Sequence, residues 1–305
     1  ISFYGNCEYS VYLKKLLKNK KKMKKILLTG SSGFIGSIAL EKLSKENKVF
    51  FITRKKIRKT NLKKNQFEIF YSSYDQLNLK LKKIKVDIVI HCATHYIKEH
   101  QDKDIKKFAE SNLVFGNIIL ENLKNMSVKI FINFSTVWEN YDAVKNNFFN
   151  LYSVYKRNFT NLINFYKKKN PKVKFFNLFI SDTFGYKDKR LKIINLLRTN
   201  YKKNKFTNVV SSNLFLNLIN VEDIINALFL IIKNKNLAGD YNLVNPKNFC
   251  ISDIVKVFNS YNSKKLKIKW LSKKIINEKI YKKNTLKYWT PKNSTIKDIV
   301  SLITQ

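Results

Sequence analysis

The amino-acid sequence predicts an α/β protein in which a doubly wound parallel sheet is followed by a smaller mixed α/β lobe. From Met23 to about Ile180, short apolar runs alternate with amphipathic stretches of helical length. This alternation is typical of parallel strands joined by crossover helices that cover both faces of the sheet. A glycine-rich turn joins the first apolar run to the first helical stretch, and after Gly185 the pattern loosens into shorter segments.

Each predicted element follows from the spacing of its apolar residues. We expect strands over residues 25–29, 49–53, 67–71, 86–91, 128–134 and 172–180. We expect helices over residues 34–45, 105–123 and 151–169. The longest of these helices carries an apolar stripe that we expect to face the core, formed by Leu151, Val154, Tyr155, Leu162, Ile163 and Tyr166.

The glycine-rich turn is the most specific local signal in the chain. Gly30, Gly33 and Gly36 are three of only seven glycines and follow the first strand at three-residue intervals. Glycine allows a positive φ and lets an anion approach where a β-carbon would block it, while the N-terminus of the next helix offers free N–H groups. This arrangement predicts a Rossmann-type sheet that binds a dinucleotide.

The end of the second strand indicates which dinucleotide binds. An acidic residue there would hydrogen-bond the 2′-hydroxyl of the adenosine ribose, whereas a cation suits a 2′-phosphate. The sequence at this point is Thr53-Arg54-Lys55. Because lysine is frequent throughout the chain, Arg54 carries most of the argument, which favours NADP and leaves NAD as the alternative.

Three regions follow from these patterns. Residues 1–22 end in a lysine-rich tract and are expected to be a poorly ordered basic extension, with Met23 as the natural start. Residues 23–180 are expected to form the NAD(P)-binding Rossmann domain. Residues 181–305 are expected to form mainly a substrate-binding lobe and to contribute the last strands of the sheet.

The formal net charge of +39 raises the possibility of nucleic-acid binding. Only five of the basic residues are arginines, and the 55 lysines are spread through every segment. Arginine is preferred for forked contacts to phosphates and bases. The dispersed lysines therefore indicate solvated faces, and a nucleic-acid function is disfavoured.

The remaining composition is consistent with a protein of a reducing compartment. The three cysteines Cys7, Cys92 and Cys250 show no paired spacing, so neither a disulfide framework nor a zinc site is indicated. Apolar runs stay far below the length of a membrane span, and no signal peptide is visible. We therefore expect a cytoplasmic protein without a membrane partner.

Several motifs resemble the extended short-chain dehydrogenase/reductase superfamily, in the NAD-dependent epimerase/dehydratase branch. They are Thr29-Gly-Ser-Ser-Gly-Phe-Ile-Gly36, Val86-Asp-Ile-Val-Ile-His-Cys-Ala-Thr94, Asn112, Tyr152-Ser-Val-Tyr-Lys156, Asn220-Val-Glu-Asp-Ile224 and Tyr241-Asn-Leu243. The resemblance runs from about Met23 to the C-terminus. Within the family, Asp182-Thr-Phe-Gly185 and Thr94-His-Tyr96 look most like the 4-keto reductases of the CDP-abequose synthase type.

The resemblance implies that Tyr152 and Lys156 are the catalytic pair. A tyrosine four residues before a lysine places both side chains on one helical face, where the ammonium lowers the pKa of the phenol. The spacing alone proves little, because it also occurs from Tyr141, Tyr201 and Tyr261. Only Tyr152 begins a long amphipathic helix after the fifth strand, which is where the family places its pair.

The family also places a serine or threonine just after the fifth strand, where it hydrogen-bonds the reacting oxygen. Aligned on Val137 and Trp138, that position falls on Phe134, and either Ser135 or Thr136 is expected to take over the role. Sugar 4,6-dehydratases of the family follow their threonine with an Asp-Glu pair. This chain has Val137 and Trp138 there, so dehydration is disfavoured.

The resemblance implies further contacts to the cofactor. They involve Gly30, Gly33, Phe34, Ile35 and Gly36 of the glycine turn, Arg54, Ala93, Thr94, Asn112 and Lys156. His91, His95, His100 and Cys92 are not expected to bind a metal, since side chains alternate faces at the end of a strand.

The expected function is therefore NADPH-dependent reduction of a 4-keto group on a nucleotide-linked deoxyhexose. The first alternative is a nucleotide-sugar 4-epimerase that retains NAD. The alternative from another class is a catalytically silent cofactor-binding protein that recognises nucleic acid or an acidic partner through its basic surface. The resemblance implies a homodimer that pairs through the helix of Asn112 and the helix of Tyr152.

Overall fold

The computed structural model describes residues 23–234 and 236–305. The basic extension expected at residues 1–22 lies outside the described residues. In the part described, the centre of the molecule is an eight-stranded sheet with the strand order β15-β11-β6-β5-β4-β1-β2-β3. Its strands are β1 (Lys25–Thr29), β2 (Lys48–Thr53), β3 (Gln66–Phe70), β4 (Ile88–His91), β5 (Ile130–Thr136), β6 (Lys174–Ile180), β11 (Gly239–Leu243) and β15 (Asn284–Thr285).

The paired strands of this sheet run parallel. The chain builds β1, β2 and β3 toward one edge and then returns to place β4 on the other side of β1. A crevice opens at the carboxyl ends of strands where the order reverses in this way. The glycine turn after β1 lies at this point, which confirms the predicted Rossmann-type α/β fold.

Some helices cover the two faces of the sheet, and others pack in a separate core formed by residues after 181. The helices are α1 (Phe34–Leu43), α2 (Tyr74–Lys83), α3 (Ile105–Ala109), α4 (Phe115–Glu121), α5 (Leu151–Lys169), α6 (Ile193–Lys202), α7 (Val221–Lys233), α8 (Ile251–Tyr261) and α9 (Ile296–Thr304). A π-helical segment, Glu110–Val114, joins α3 to α4. The helix expected over residues 105–123 is therefore present from Ile105 to Glu121, with π-helical hydrogen bonding in its middle.

Alternate residues of the strands pack into separate cores on the two faces. Ile26 and Leu28 of β1 belong to the core beneath α1 and α7. Leu27, between them, belongs to the core beneath α2, α4 and α5. The sequence pattern does not predict helix α2, because its segment is rich in lysine and other polar residues. Only Leu77 and Leu81 of this helix are buried.

Helix α5 has the predicted bounds, but its buried face differs from the predicted stripe. Of that stripe, only Ile163 and Tyr166 are buried. The buried residues of α5 are Ser153, Lys156, Phe159, Thr160, Ile163 and Tyr166. Polar contacts explain the difference, because Ser153 takes part in the capping box at the start of the helix and Lys156 donates to a backbone oxygen of β5. The helix therefore turns a polar end toward the crevice.

The residues after 181 divide between the sheet and a third core. Strands β11 and β15 extend the sheet, and α7 packs on α1. The third core lies among α6, α8, α9 and the short strands β7 (Asp182–Phe184), β8 (Thr207–Val209), β9 (Leu214–Leu216), β10 (Leu218–Asn220), β12 (Phe249–Cys250), β13 (Ile268–Trp270) and β14 (Ile276–Asn277). None of the helices described has the length and apolar character needed to span a membrane.

Candidate active site

The glycine turn forms a tight backbone cradle between β1 and α1. Gly30 has φ +70, and the Gly33 N–H donates to its carbonyl oxygen over 2.9 Å. A β-carbon on Gly36 would lie 2.1 Å from the same oxygen, and one on Gly30 would lie 2.6 Å from the backbone nitrogen of Ala93. Gly30 is therefore required for the backbone conformation and Gly36 for close packing of helix on turn.

The start of α1 suits an anion. Gly33 is the N-cap residue and has no side chain to bond the first N–H groups of the helix. These donors and the positive end of the helix dipole meet the cleft at the switch point of the sheet. A β-carbon at Gly33 would contact the Gly30 oxygen at 3.3 Å, so the cradle leaves little room for a side chain. The residues present therefore fit the diphosphate of a dinucleotide cofactor.

The end of β2 presents Arg54 to the same cleft. Arg54 is exposed, whereas Thr53 beside it donates through its hydroxyl to the Glu68 carboxylate over 2.7 Å. The Ile57 N–H donates to the same carboxylate oxygen over 2.9 Å. Glu68 thus holds the loop that follows β2, and Arg54 is exposed at the edge of the cleft.

The end of β4 is fixed by two buried polar contacts. Thr29 Oγ1 lies 3.0 Å from His91 Nδ1 and accepts a hydrogen bond from the Ala93 N–H over 3.1 Å. His91 is buried among aromatic rings, and burial lowers its pKa to about 3, so the imidazole is neutral. Burial also raises the pKa of Cys92 to about 12. The described residues contain no group of three His, Cys, Asp or Glu side chains placed to hold a metal ion.

Asn112 lies in the π-helical segment and holds the loop after β4. Its Oδ1 accepts from the His95 N–H over 2.6 Å and from the Thr94 hydroxyl over 3.2 Å, while its Nδ2 donates to the His95 carbonyl over 3.0 Å. π-helical segments are frequent at functional sites because they redirect a side chain. In this structure Asn112 acts on the loop and does not line the cleft itself.

Tyr152 and Lys156 occupy the first two turns of α5. Asn150 and Ser153 form a capping box that fixes the start of the helix. The Lys156 ammonium lies 5.7 Å from the centroid of the Tyr152 ring and donates to the Phe134 carbonyl oxygen over 2.7 Å. Tyr96 packs edge-on against the Tyr152 ring at 5.0 Å between centroids.

Both side chains of this pair are affected by burial. Burial is the main cause that raises the pKa of Tyr152 above its ordinary value, assisted by Tyr96 and opposed by a hydrogen bond with Thr94. Burial lowers the pKa of Lys156 to about 8, while the charge of Glu139 acts to raise it. The spacing of Tyr152 and Lys156 predicts a lowered pKa for the phenol. Burial outweighs that effect in the structure because it penalises the phenolate form.

The two candidate hydroxyls at the end of β5 have different partners. The Ser135 hydroxyl donates to the Glu139 carboxylate. Thr136 Oγ1 accepts from the Trp138 N–H over 3.3 Å, which leaves the Thr136 hydroxyl proton available. Phe134 places its ring in the core on the α1 face of the sheet. Both residues therefore place a hydroxyl at this strand end, but the proton of the Ser135 hydroxyl is already donated to Glu139, whereas that of Thr136 is available.

The predicted site residues surround a single cleft of about 1500 Å³. All of them except Asn112 line it, namely Gly30, Gly33, Phe34, Ile35, Gly36, Arg54, Ala93, Thr94, Ser135, Thr136, Tyr152 and Lys156. The glycine cradle, the Arg54 guanidinium and the Tyr152–Lys156 pair therefore face one space. A dinucleotide lying along the switch point can reach all three.

Sequence reasoning missed several cleft residues contributed by the segment after β6. Arg190 donates to the Thr183 carbonyl over 2.8 Å and stacks at 4.6 Å on the Phe34 ring. Lys192 pairs with Asp182 over 2.7 Å. The Lys192 ammonium also lies 4.3 Å from the centroid of the Trp138 ring. The rarity of arginine was the available signal, since Arg54 and Arg190 both line the cleft in a chain with only five arginines.

Comparisons with known proteins agree with this geometry. Residues 26–245 match the model of the NAD-dependent epimerase/dehydratase family. The chain is 28% identical over 253 residues to CDP-abequose synthase from Yersinia pseudotuberculosis, across 80% of this chain and 87% of that protein.

Solved structures show the same fold. MoeE5 in complex with UDP-glucuronic acid and NAD superposes with a TM-score of 0.75 at 14% identity, over 92% of this chain and 98% of that one. UDP-glucuronic acid 4-epimerase from Bacillus cereus, in complex with NAD, superposes with a TM-score of 0.73 at 20% identity, over 92% of this chain and 99% of that one. Because the family model spans both the glycine cradle and the Tyr152–Lys156 helix, the chain belongs to the NAD-dependent epimerase/dehydratase family of enzymes.

Proposed function

We propose that this enzyme is an NADPH-dependent 4-keto reductase of a nucleotide-linked deoxyhexose. The observation that carries the proposal is the placement of Tyr152 and Lys156 in one cleft with the glycine cradle and Arg54. The likeness to CDP-abequose synthase over most of both chains supports a deoxysugar substrate. The exposed Arg54 at the end of β2 supports NADPH over NADH.

The chain's own residues supply the proton and the orientation of the substrate. A bound NADPH would supply the hydride for the carbonyl carbon and would be oxidised in doing so. The Tyr152 hydroxyl would give its proton to the carbonyl oxygen, so that the ketone becomes a secondary alcohol. The protonated form of Tyr152 is the one that burial favours, which suits a group that donates a proton in the reductive direction.

Thr136 is the better candidate to polarise the ketone. Its hydroxyl proton is available because its oxygen only accepts from the Trp138 N–H, whereas the Ser135 hydroxyl is engaged by Glu139. A donor aimed at the oxygen stabilises the negative charge that develops during hydride addition.

Further cations and aromatic rings also line the cleft. Lys187, Lys189 and Arg190 are among them, with Lys187 paired to Glu41 and Arg190 stacked on Phe34, both of α1. Such cations suit the diphosphate of a bound nucleotide. Trp138 and Tyr96 lie 6.1 Å apart between ring centroids. They offer apolar faces to a deoxygenated sugar.

A nucleotide-sugar 4-epimerase is the second candidate. It is favoured by the fold shared with the Bacillus cereus UDP-glucuronic acid 4-epimerase, whose structure contains NAD. An epimerase retains its cofactor and returns the hydride to the opposite face of the sugar. Retention of NAD by the purified protein therefore separates the two functions.

A homodimer remains the proposed assembly. Large apolar side chains are exposed along the helices that the family uses for pairing, including Val114 at 42% and Phe165 at 51% of their accessible surface. Sedimentation of the wild-type protein beside Phe165→Glu tests this assembly, since a charge in an apolar interface should yield monomers.

The test of function is a set of three measurements on purified protein. Bound cofactor is first identified after release, and NADPH and NADH are then titrated at physiological salt. Turnover is measured with nucleotide-linked 4-keto-6-deoxyhexoses that differ in their base. We expect NADPH to bind more tightly than NADH and to be oxidised in step with ketone loss.

The matched variants are Tyr152→Phe and Tyr155→Phe. The second tyrosine lies on the same helix and stacks on Phe108 at 5.4 Å. Tyr152→Phe should lose about 10²- to 10⁴-fold in kcat while cofactor binding persists, and Tyr155→Phe should retain activity. Retained NAD with epimerisation would move the assignment to the epimerase. Cofactor binding without turnover, together with salt-dependent binding to RNA, would favour the non-catalytic alternative.

A further inference from the structure

A buried carboxylate lies directly behind the catalytic pair. Glu139 belongs to the short 3₁₀ segment Val137–Ala143, and its side chain is 0% exposed. One carboxylate oxygen accepts from the Ser135 hydroxyl. The other lies 3.8 Å from the Arg157 guanidinium and has no hydrogen-bond partner among the described residues. A fully buried carboxylate with one unpaired oxygen is costly unless nearby cations offset it.

The groups facing Glu139 come from every element packed on it. Helix α5 contributes Arg157 and Lys156, whose charges act to lower the pKa of Glu139. It also contributes Tyr152, whose pKa the charge of Glu139 acts to raise. Lys283, in the segment before β15, contributes a further cation and lies 3.9 Å from the Phe179 ring centroid. Phe179 is the partner of Ser135 in the ladder between β5 and β6. Glu139 is therefore a buried carboxylate among three cations, of which Lys156 is buried and Arg157 and Lys283 are partly exposed.

Lys156 is the member of this cluster that reaches the cleft. It is buried beside the neutral His91. Glu139 and then Cys92 act to raise its pKa, but burial raises the pKa of Cys92 to about 12, so the thiol is protonated at neutral pH. The hydrogen bond of Lys156 to the Phe134 carbonyl offers only a dipole. Among the described groups that act on Lys156, Glu139 is the carboxylate that favours the ammonium form.

We propose that Glu139 is a positioning residue of the reaction, whose buried charge keeps Lys156 protonated beside Tyr152 and whose oxygen holds the Ser135 hydroxyl away from the ketone. The first half of this role concerns Lys156 and is independent of the substrate. The second half rests on the proposed reductase function. A variant that removes the charge of Glu139 but keeps the shape of its side chain distinguishes both halves of this role from a merely structural one.

The two groups titrate in adjoining ranges, which makes their coupling measurable. Burial raises the pKa of Glu139 to about 7 and lowers the pKa of Lys156 to about 8. Loss of the carboxylate lowers the pKa of Lys156 further, because the ammonium loses its stabilising charge. Loss of the ammonium raises the pKa of Glu139 for the reciprocal reason.

The first experiment needs neither cofactor nor substrate. The carbonyl band of protonated carboxyl groups is followed by infrared spectroscopy across neutral pH in the wild-type protein, and Glu139→Gln identifies the contribution of Glu139. Glu278→Gln removes the second carboxyl group whose pKa lies near 7. In Lys156→Met the midpoint of the Glu139 band should rise by about one pH unit. An unchanged midpoint overturns the proposal.

The second experiment measures turnover and NADPH affinity against pH in Glu139→Gln. The alkaline limb of kcat should move down by about one pH unit with KM little changed, and the pH dependence of NADPH affinity should move with it. Glu139→Asp retains the charge and should return the alkaline limb of kcat most of the way to its wild-type pH position. Unchanged profiles with only a lower melting temperature assign Glu139 to structure alone and overturn the proposal.

The matched control is Glu121→Gln. Glu121 also accepts a hydrogen bond from a hydroxyl on α5, that of Tyr166, over 2.6 Å, but at the far end of the helix. This variant should leave the pH profile in place. If no 4-keto sugar is reduced by the wild-type protein, the proposed function fails, while the infrared experiment still decides whether Glu139 and Lys156 are coupled.

Discussion

The Lys156 ammonium donates a 2.7 Å hydrogen bond to the carbonyl oxygen of Phe134, the residue that stands where the family places its hydroxyl. This bond ties the catalytic helix to the end of β5 at the residue that departs from the family pattern. The backbone of Phe134 anchors the lysine, and its ring fills the core on the opposite face. The polarising hydroxyl must therefore come from a later residue of the strand.

Thr136→Ala should damage catalysis more than Ser135→Ala. Thr136 has a hydroxyl proton to offer, whereas that of Ser135 is engaged by Glu139. We expect kcat to fall about 10²- to 10³-fold in Thr136→Ala, with recovery in Thr136→Ser. Steady-state turnover with saturating NADPH measures both variants. The reverse order of effects would assign the role to Ser135.

Arg54→Ala should weaken NADPH binding by about ten- to a hundredfold, because a charge-assisted contact to the 2′-phosphate is lost. NADH affinity should change little, since that cofactor lacks the phosphate. Fluorescence titration of both cofactors measures the effect. Arg58→Ala is the control, an exposed arginine four residues on that does not line the cleft. Equal loss for both cofactors would contradict a 2′-phosphate contact.

Gly36→Ala and Gly33→Ala should separate packing from cofactor approach. A β-carbon at Gly36 lies 2.1 Å from the Gly30 oxygen, and backbone atoms cannot yield as a flexible side chain can. We expect the free energy of unfolding to fall by about 1–3 kcal/mol. At Gly33 the contact is 3.3 Å, so stability should change less while cofactor affinity falls. Chemical denaturation and cofactor titration give the two readouts.

Glu278 should make the folded protein less stable as pH rises through neutrality. It accepts from the Trp138 indole N–H and the Asn217 N–H, and burial raises its pKa to about 7. The folded state therefore holds this proton more tightly than the unfolded chain does. The resulting stabilisation is complete below the ordinary pKa of 4.5 and is lost as pH rises through about 7.

Glu278→Gln should consequently flatten the pH dependence of unfolding by about 1–2 kcal/mol, a figure reduced for partial exposure. Urea denaturation at a series of pH values measures the change. Glu99→Gln is the control, because its side chain is 88% exposed. An identical pH dependence in Glu278→Gln and wild type would show that the proton is not held more tightly in the folded state.

Local patterns determined the sheet, the glycine turn and the bounds of helix α5. These features depend on near neighbours in the chain, such as a β-carbon excluded at Gly36 or a tyrosine and a lysine one helical turn apart. The rarity of arginine in a chain full of lysine also marked Arg54. For this reason the fold could be named from the sequence, and so could a set of site residues that all line the cleft except Asn112, whereas Arg190 and Lys192 could not.

The tertiary structure decided what each group faces. Lys156 is buried against a strand oxygen, and Glu139 is buried four residues beyond Ser135. The sequence marked Lys156 as a catalytic candidate, but it marked neither Glu139 nor the burial of the two side chains. Their burial depends on how α5 packs on β5 and on Lys283, which is more than a hundred residues away. The pKa of a side chain depends on desolvation and distant charges, and the order of residues along the chain contains neither.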